Sequence, residues 1–337
     1  MKNIISISGF GWSGSTAARD LLREYSGITH FTDKKNSFKE YSLSYDPNGF
    51  IDLYSKLVQN WNFLNVDKAI KDHVTYFNSI SSKKNFINYH GLYLDDFFKV
   101  NSKSLHKQFI NKITLFNYTF SSRVNSLYKS IPQKLVFKII NRTSYYNQKS
   151  LFSNITEEDF FLELRVFHKK MFNQIIEKND LMLEKAVPVN NINLVSNFFD
   201  NLKVLVVDRD PRDTFVEMSK RKTLFWGDTR NITNEQVLNF AQWKKAMTTK
   251  GGVNEIPFNK LIRLKSDALV LKIKFEELVL NYEKIKPLIE ELVDKTSNDH
   301  IYKYDFFDPK KSKNNIGIWK NYHNQNHINI ISKVFRN

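Results

Sequence analysis

Cysteine is absent from the 337 residues, which removes disulfide frameworks, zinc ribbons, thiol nucleophiles and iron–sulfur clusters together. Long apolar runs are missing too: none reaches the roughly 18 residues that cross a bilayer. The stretch Ile4 to Phe10 is too short and too bounded by glycine for a secretory signal, whose apolar region runs about 7–15 residues before a small-residue cleavage site. A soluble cytoplasmic protein is therefore expected. No internal repeat and no low-complexity linker interrupts the chain. The eight histidines are scattered without a metal-ligand spacing such as H-E-x-x-H, so no metal is assigned. Acidic residues are in deficit, 35 against 51 Lys plus Arg, a net charge of +16. Such a chain attracts anions, among them nucleotides, sulfated or phosphorylated compounds, acidic glycans, nucleic acid and anionic membrane surfaces.

What is present is apolar enough to fold: 41% hydrophobic residues, with 28 Phe and 15 Tyr, lie far from the composition of a disordered chain. The chain opens as a strand, a glycine-rich turn and a helix: NIISIS (Asn3 to Ser8), GFGWSGST (Gly9 to Thr16), AARDLLREY (Ala17 to Tyr25). That order is the first half of a βαβ unit. From Gly49 to about Leu181 the text is mostly helical in spacing, with a strand signal at Lys134 to Ile140. Thr156 and Asp159 resemble a capping box opening a helix that runs to about Glu177. Parallel-sheet character returns in LMLEKAV (Leu181 to Val187), KVLVVDRD (Lys203 to Asp210) and ALVLKIKF (Ala268 to Phe275). The last two are β-branched runs of the kind buried on both faces of an α/β sheet. Helices are expected over Asp213 to Lys220 and Glu276 to Val293. In open α/β sheets ligands sit at the carboxyl ends of the strands, so the residues just after each run are the first candidates for a site.

Three segments qualify. GFGWSGST satisfies the phosphate-loop pattern G-x-x-x-x-G-K-[ST] except that Ser15 stands where the lysine belongs. That absence argues against ATP or GTP hydrolysis, which needs a lysine on the β- and γ-phosphates. Loop amides, the helix N-terminus and the hydroxyls of Ser13, Ser15 and Thr16 still suit a phosphate. In VVDRDPRDTFVEMSKR (Val206 to Arg221), Arg209 and Arg212 flank a proline at a strand end, where a guanidinium fork matches a phosphate. The alternative is that both merely pair with Asp208, Asp210 and Asp213, while Asp213 is placed to cap the following helix. In KKSKNNIGIWKNY (Lys310 to Tyr322), four lysines surround a turn at Gly317, followed by Trp319.

Taken in order, these segments resemble the sulfotransferases that use 3′-phosphoadenosine 5′-phosphosulfate (PAPS): the loop for the 5′-phosphosulfate, the R-D-P-R-D element for the 3′-phosphate, and the late basic loop. EKAVP (Glu184 to Pro188) resembles the Lys-x-Pro element and IKFEELVLNYEKI (Ile273 to Ile285) the F-E-D-L stretch. FFDPKKSKNNIGIW (Phe306 to Trp319) is similar to a bacterial branch. The resemblance implies one sulfotransferase domain over 1–337, an α/β fold with a central parallel sheet flanked by helices, P-loop-like in its first turn. The mostly helical insertion at 49–181 would form the acceptor side. It implies that Gly11, Trp12, Ser13, Gly14, Ser15 and Thr16 hold the 5′-phosphosulfate and that Arg209 binds the 3′-phosphate. Lys313, Asn315 and Gly317 would close over the nucleotide, and Lys185 would stabilise the bridging oxygen and the migrating sulfuryl group. Two positions depart from the pattern. Trp12 stands where members carry Lys or Arg, and Glu217 stands eight residues after Arg209, where members place a Ser for the 3′-phosphate; Ser219 lies two residues on. A carboxylate beside a phosphate is repulsive, so Glu217 is expected to point elsewhere, with Ser219 or a lysine in its place.

The expected reaction moves the sulfuryl group of PAPS, a co-substrate, to an acceptor hydroxyl or amine, with an acidic carbohydrate favoured by the positive charge. No metal is required. The rival readings are a phosphate-loop kinase, which lacks its lysine here, and a basic nucleic-acid-binding protein, which lacks any recognised motif. For the general base, EYSLSYDPNGF (Glu40 to Phe50) resembles the family segment with an acidic residue ahead of a D-P-x-G turn. That singles out Glu40, then Asp33, with His30 and His90 as histidine alternatives. If Glu40 takes the acceptor proton, Glu40→Gln lowers kcat by about 10²–10⁴ while PAPS affinity hardly changes. Near-normal turnover of the variant would remove Glu40 as the base.

Overall fold

Runs of Ile, Leu and Val with few charges become strands only if both of their faces are covered, and here helices cover them. The computed structural model describes residues 2–33, 44, 47–81, 86–88, 95–114, 116–118, 150–176, 178–222, 231–249 and 252–336. Glu40, His90 and the stretch Lys134 to Ile140 lie outside the described residues, and of Asp33 only the backbone lies within them. The chain divides into two compact units, one of Met1–Ser44, Asn85–Asp95 and Phe172–Asn337, the other of Tyr45–Lys84 and Asp96–Met171.

In chain order the strands are β1 (Ile4–Gly9), β2 (Ile28–Asp33), β3 (Phe86–Asn88), β4 (Phe116–Tyr118), β5 (Ser150–Phe152), β6 (Asp180–Glu184), β7 (Leu202–Asp208), β8 (Leu261–Arg263) and β9 (Leu269–Lys274). The first unit holds a seven-stranded sheet in the order β3-β2-β6-β1-β7-β9-β8. Its five inner strands are parallel, and the two edge strands β3 and β8 run antiparallel to their neighbours. The expected α/β class with a central parallel sheet is thus what the chain builds. The sequence pattern marks β1, β6, β7 and β9 but not β2 or β8. Strand β2 interrupts its apolar residues with Thr29, His30 and Thr32, and β8 is three residues long.

Alternation along β1 sends Ile5 and Ile7 to one face and Ser6 and Ser8 to the other. The isoleucines join Leu205 and Val207 of β7 and Leu271 and Ile273 of β9 beneath the helix Ser15–Leu22 and the helical stretch from Phe275 to Leu292. That stretch is two helices, Phe275–Leu280 and Tyr282–Leu292, because the backbone leaves the helical region at Asn281 (φ −119°, ψ 39°). The serines instead bind the chain beyond β6: Ser8 Oγ donates to Val187 O (2.6 Å), Val187 N donates to Ser6 Oγ (3.1 Å) and Lys185 N to Ile7 O (2.8 Å). A second apolar cluster, Phe215, Val237, Phe240, Ile328 and Ile331, joins the helices Pro211–Lys220, Asn234–Thr249 and Gln325–Arg336.

The second unit packs the helices Phe50–Tyr54, Phe63–Ser81, Asp95–Ile113 and Glu157–Ile176, with β4 and β5 pairing as a separate antiparallel ribbon. The helix at Glu157 starts as expected, with Thr156 Oγ1 donating to Asp159 Oδ2 (2.7 Å) and accepting from Asp159 N (3.2 Å). Its core is aromatic: Phe50, Phe77, Phe109 and Phe167 surround the buried imidazoles of His73 and His106. His73 Nδ1 donates to Asn48 O (2.6 Å), and the His106 ring stacks on Phe77 with centroids 3.8 Å apart. Burial disfavours the charged ring, pushing His73 down to about 4 and His106 down to about 2. The unfolded chain protonates both near 6.5. Their contribution to stability is therefore whole above that pH and drains away as pH falls toward 4, since only the unfolded state then binds protons. The melting temperature of the full chain, followed by near-ultraviolet circular dichroism, falls over that interval. His106→Phe, which keeps the stacked ring, flattens the fall; parallel curves would show that His106 is not its source.

Candidate anion-binding site

The carboxyl ends of β1, β6, β7 and β9 lie side by side, and β1 sits where the strand order turns back, the place an open α/β sheet offers to a ligand. Beyond β1 the backbone is left-handed at Gly11 (φ 69°), Trp12 (φ 52°) and Gly14 (φ 83°). Runs of this kind turn successive amides inward and make an anion-binding concavity. Gly14 precedes the helix Ser15–Leu22, and no side chain caps its first amides, which leaves them to an external acceptor. Glycine is required there twice over, by φ and because a Cβ would stand 2.4 Å from the Phe275 ring. Ser13 is fully buried and its Oγ has no hydrogen-bond partner. A buried hydroxyl so left costs stability unless something polar reaches it.

Beyond β7 the chain enters the helix Pro211–Lys220. Its cap is Asp210, whose carboxylate accepts from Arg212 N (2.8 Å), with Pro211 at the first helical position. This corrects the expectation that Asp213 is the cap. Proline starts the helix one turn earlier, and Asp213, one turn in, reaches across to the late loop instead. Its oxygens accept from Gly317 N (2.8 Å) and Trp319 N (3.1 Å) there. Burial pushes the Asp213 carboxyl up from its ordinary value, against those two amides and Arg209. Arg212 pairs with Asp210 (2.5 Å) and lies 3.9 Å over the Trp319 ring, so for Arg212 the pairing alternative is the observed one.

Arg209 differs. It is 6% exposed and makes no ion pair within 4 Å among the described residues. Its Nη1 donates to Trp12 O (3.4 Å), its Nη2 to Asn315 O (2.5 Å), and its Nε has no partner. Burial disfavours its charge, and the carboxylates of Asp213, Glu217, Glu276 and Asp210 offset that without touching it. One guanidinium thus ties the first loop to the late loop. The three segments singled out in the sequence meet here: Trp12 and Asn315 through their carbonyls, Gly317 through its amide. The Gly317 amide is spent on Asp213, and Lys313 is exposed. Ser219 lies farther along the helix, its hydroxyl donating to Phe215 O (2.8 Å).

Lys185 follows β6 in a left-handed conformation (φ 57°) with its side chain exposed. Its ammonium has no ion-pair partner among the described residues. The preceding Glu184 accepts from Arg19 Nη1 (2.8 Å) and contacts His30 Nε2 (3.2 Å). Burial would raise the Glu184 carboxyl, but His30 and Arg19 outweigh it and hold it at about 2. Burial likewise lowers His30 against the pull of Glu184, and its Nδ1 is left without a partner. Of this trio sequence reasoning singled out only His30, as an alternative base; it missed Arg19 and the Glu184 carboxylate, as it missed Lys244, wholly buried beside Asp208 (3.3 Å) and beneath Phe10, and Glu276, which accepts from Asp210 N (2.9 Å). Only Glu276 carried a signal, its place in FEEL directly after β9.

No protein-family model matches the chain and no curated protein matches it. Among solved structures it is similar to the sulfotransferase domain of the olefin synthase of Synechococcus PCC 7002, at 11% identity and a TM-score of 0.41, covering 100% of this chain and 96% of that one. It is also similar to the sulfotransferase domain of the curacin biosynthetic pathway, at 13% identity and a TM-score of 0.39, covering 99% and 98%. TM-scores of this size carry no weight for the chemistry, which rests on the residues at the carboxyl edge.

The mooring of the late loop is open to test. Asp213→Asn keeps one acceptor oxygen and turns an NH₂ toward the other amide, a loss of about 1–3 kcal/mol. Hydrogen exchange at the amides of Gly317 and Trp319 then rises by one to two orders of magnitude, with exchange in β1 and β7 unchanged. Unaltered exchange at both amides would show that the loop is held by other contacts.

Proposed function

We propose that this protein is a PAPS-dependent sulfotransferase, moving a sulfuryl group to an acceptor hydroxyl or amine on a carbohydrate. The observation that carries the reading is the pair of buried, unpartnered donors, Ser13 Oγ and Arg209 Nε, at the turn of the strand order. Orphaned donors in a left-handed loop and behind a strand end are what a bound anion would satisfy. Two such positions, Ser13 next to Trp12 in the chain and Arg209 bonded to the Trp12 carbonyl, suit a ligand with two anionic groups. Ser15 in the place of a lysine opposes a triphosphate reading.

In the proposed step the acceptor oxygen attacks sulfur in line while the bond from sulfur to the 5′-phosphate oxygen breaks, leaving adenosine 3′,5′-bisphosphate. The acceptor proton passes to Glu40. The first-loop amides and the hydroxyls of Ser13, Ser15 and Thr16 hold the 5′ end, and Arg209 holds the 3′-phosphate. The Lys185 ammonium stabilises the charge that grows on the bridging oxygen, a contribution of fixed groups that need not reorganise during transfer. A carbohydrate acceptor is supported by the net charge of +16, which draws acidic polymers.

Calorimetry with adenosine 3′,5′-bisphosphate and 5′-AMP tests the reading. Loss of one charge-assisted pair is worth about 1.5–3 kcal/mol, roughly ten- to a hundredfold. Arg209→Ala therefore weakens the bisphosphate by that factor and 5′-AMP far less. Equal losses for both ligands would overturn the assignment of Arg209.

A further inference from the structure

Four carboxylates, those of Asp213, Glu217, Glu276 and Asp210, act on the buried Arg209 charge. An anion drawn to Arg209 meets the same four, so each must be occupied elsewhere if the site is to attract at all. Three are: Asp213 by two amides, Glu276 by Asp210 N, Asp210 by Arg212. The fourth, Glu217, stands at the position where a hydroxyl would be expected beside a phosphate, and it is held by Arg221. Arg221 Nε donates to Glu217 Oε1 at 2.6 Å.

Arg221 is not an ordinary surface partner. Its guanidinium carbon lies 5.2 Å over the Trp12 ring, so Trp12 touches both cations, Arg209 through its carbonyl oxygen and Arg221 through its indole. The Trp12 ring is itself packed against the cluster of Phe215 and Phe240, a rigid surface for a guanidinium to rest on. Among the described residues only Nε of Arg221 has a hydrogen-bond or ion-pair partner, and Nη1 and Nη2 have none. The side chain is 60% exposed, with the open edge of its fork available to a ligand. Both departures from the expected pattern, an indole for a cation at 12 and a carboxylate for a hydroxyl at 217, therefore meet on one arginine.

We infer that Arg221 is a second guanidinium of the anion site: held by Glu217 and the Trp12 ring, it donates Nη1 and Nη2 to the phosphate that Arg209 binds, the 3′-phosphate of a nucleoside bisphosphate. Glu217 serves as its anchor, and its negative charge is tolerable there only because Arg221 neutralises it. The inference rests on the nucleotide reading proposed above.

The test is calorimetry of the full chain with adenosine 3′,5′-bisphosphate and 5′-AMP, comparing the wild type, Arg209→Ala, Arg221→Ala and the double variant Glu217→Ser/Arg221→Ala. Arg221 is exposed and at a helix end, so its removal leaves the fold intact, which the melting temperature checks. Arg221→Ala weakens the bisphosphate by about tenfold or more, since it removes a charge-assisted contact and bares a carboxylate; binding of 5′-AMP stays within about twofold. The double variant recovers part of the loss, because the bared carboxylate is gone, a non-additivity expected of groups in contact. Unchanged bisphosphate binding by Arg221→Ala, with Arg209→Ala weakened, overturns this inference and leaves the nucleotide reading standing. A double variant no tighter than Arg221→Ala overturns the anchoring role of Glu217. A wild type that binds neither nucleotide overturns the nucleotide reading itself, and this inference with it.

Discussion

The guanidinium of Arg209 sits where water hardly reaches, and a charge so placed has to be answered by its surroundings. The chain answers it with carboxylates that stand near but do not touch, and with two backbone carbonyls from loops far apart in sequence. Each neighbouring carboxylate then needs its own donor, and the donors are what hold the site together: the helix start at Pro211, the amides of Gly317 and Trp319, the stacked Arg212. The geometry of the carboxyl edge follows from keeping one buried cation satisfied yet incompletely used.

The parts of this arrangement visible in the sequence are those set by neighbours along the chain. A β-branched run followed by glycines, or by Asp-Pro, announces a strand end, and it does so for β1 and β7. Helix Pro211–Lys220 is legible too, but its cap lies three residues before the expected one, because Asp210 and Asp213 are chemically alike and only the position of proline separates them. The remainder depends on partners that sequence distance hides. Arg19 and Glu184 lie 165 positions apart, and Lys244 sits in a helix whose other lysine, Lys245, looks the same on paper. Strand β2 escapes notice because Thr29, His30 and Thr32 break up its apolar residues, and what makes it a strand is pairing with β6 and β3 on either side.

Lys185 is held by an unusual route. Two buried serine hydroxyls on β1 fasten the turn beyond β6, and the lysine backbone is tied to Ile7. Apolar residues at those positions would have filled the space but left Val187 N and O unpaired, at a cost of about 1–3 kcal/mol for each buried group. The hydroxyls thus convert strand packing into a fixed backbone beneath an exposed ammonium that has no ion-pair partner among the described residues.

The mooring of the late loop also has a bearing on traffic. Its carboxylate anchor is buried, with both oxygens engaged by amides, so lifting the segment away would strand a desolvated negative charge in the wall it left behind. That wall resists opening. On the opposite flank of β1, beyond β6, the edge instead ends at the exposed Lys185, so the two sides of the same strand end differ in how firmly they are closed.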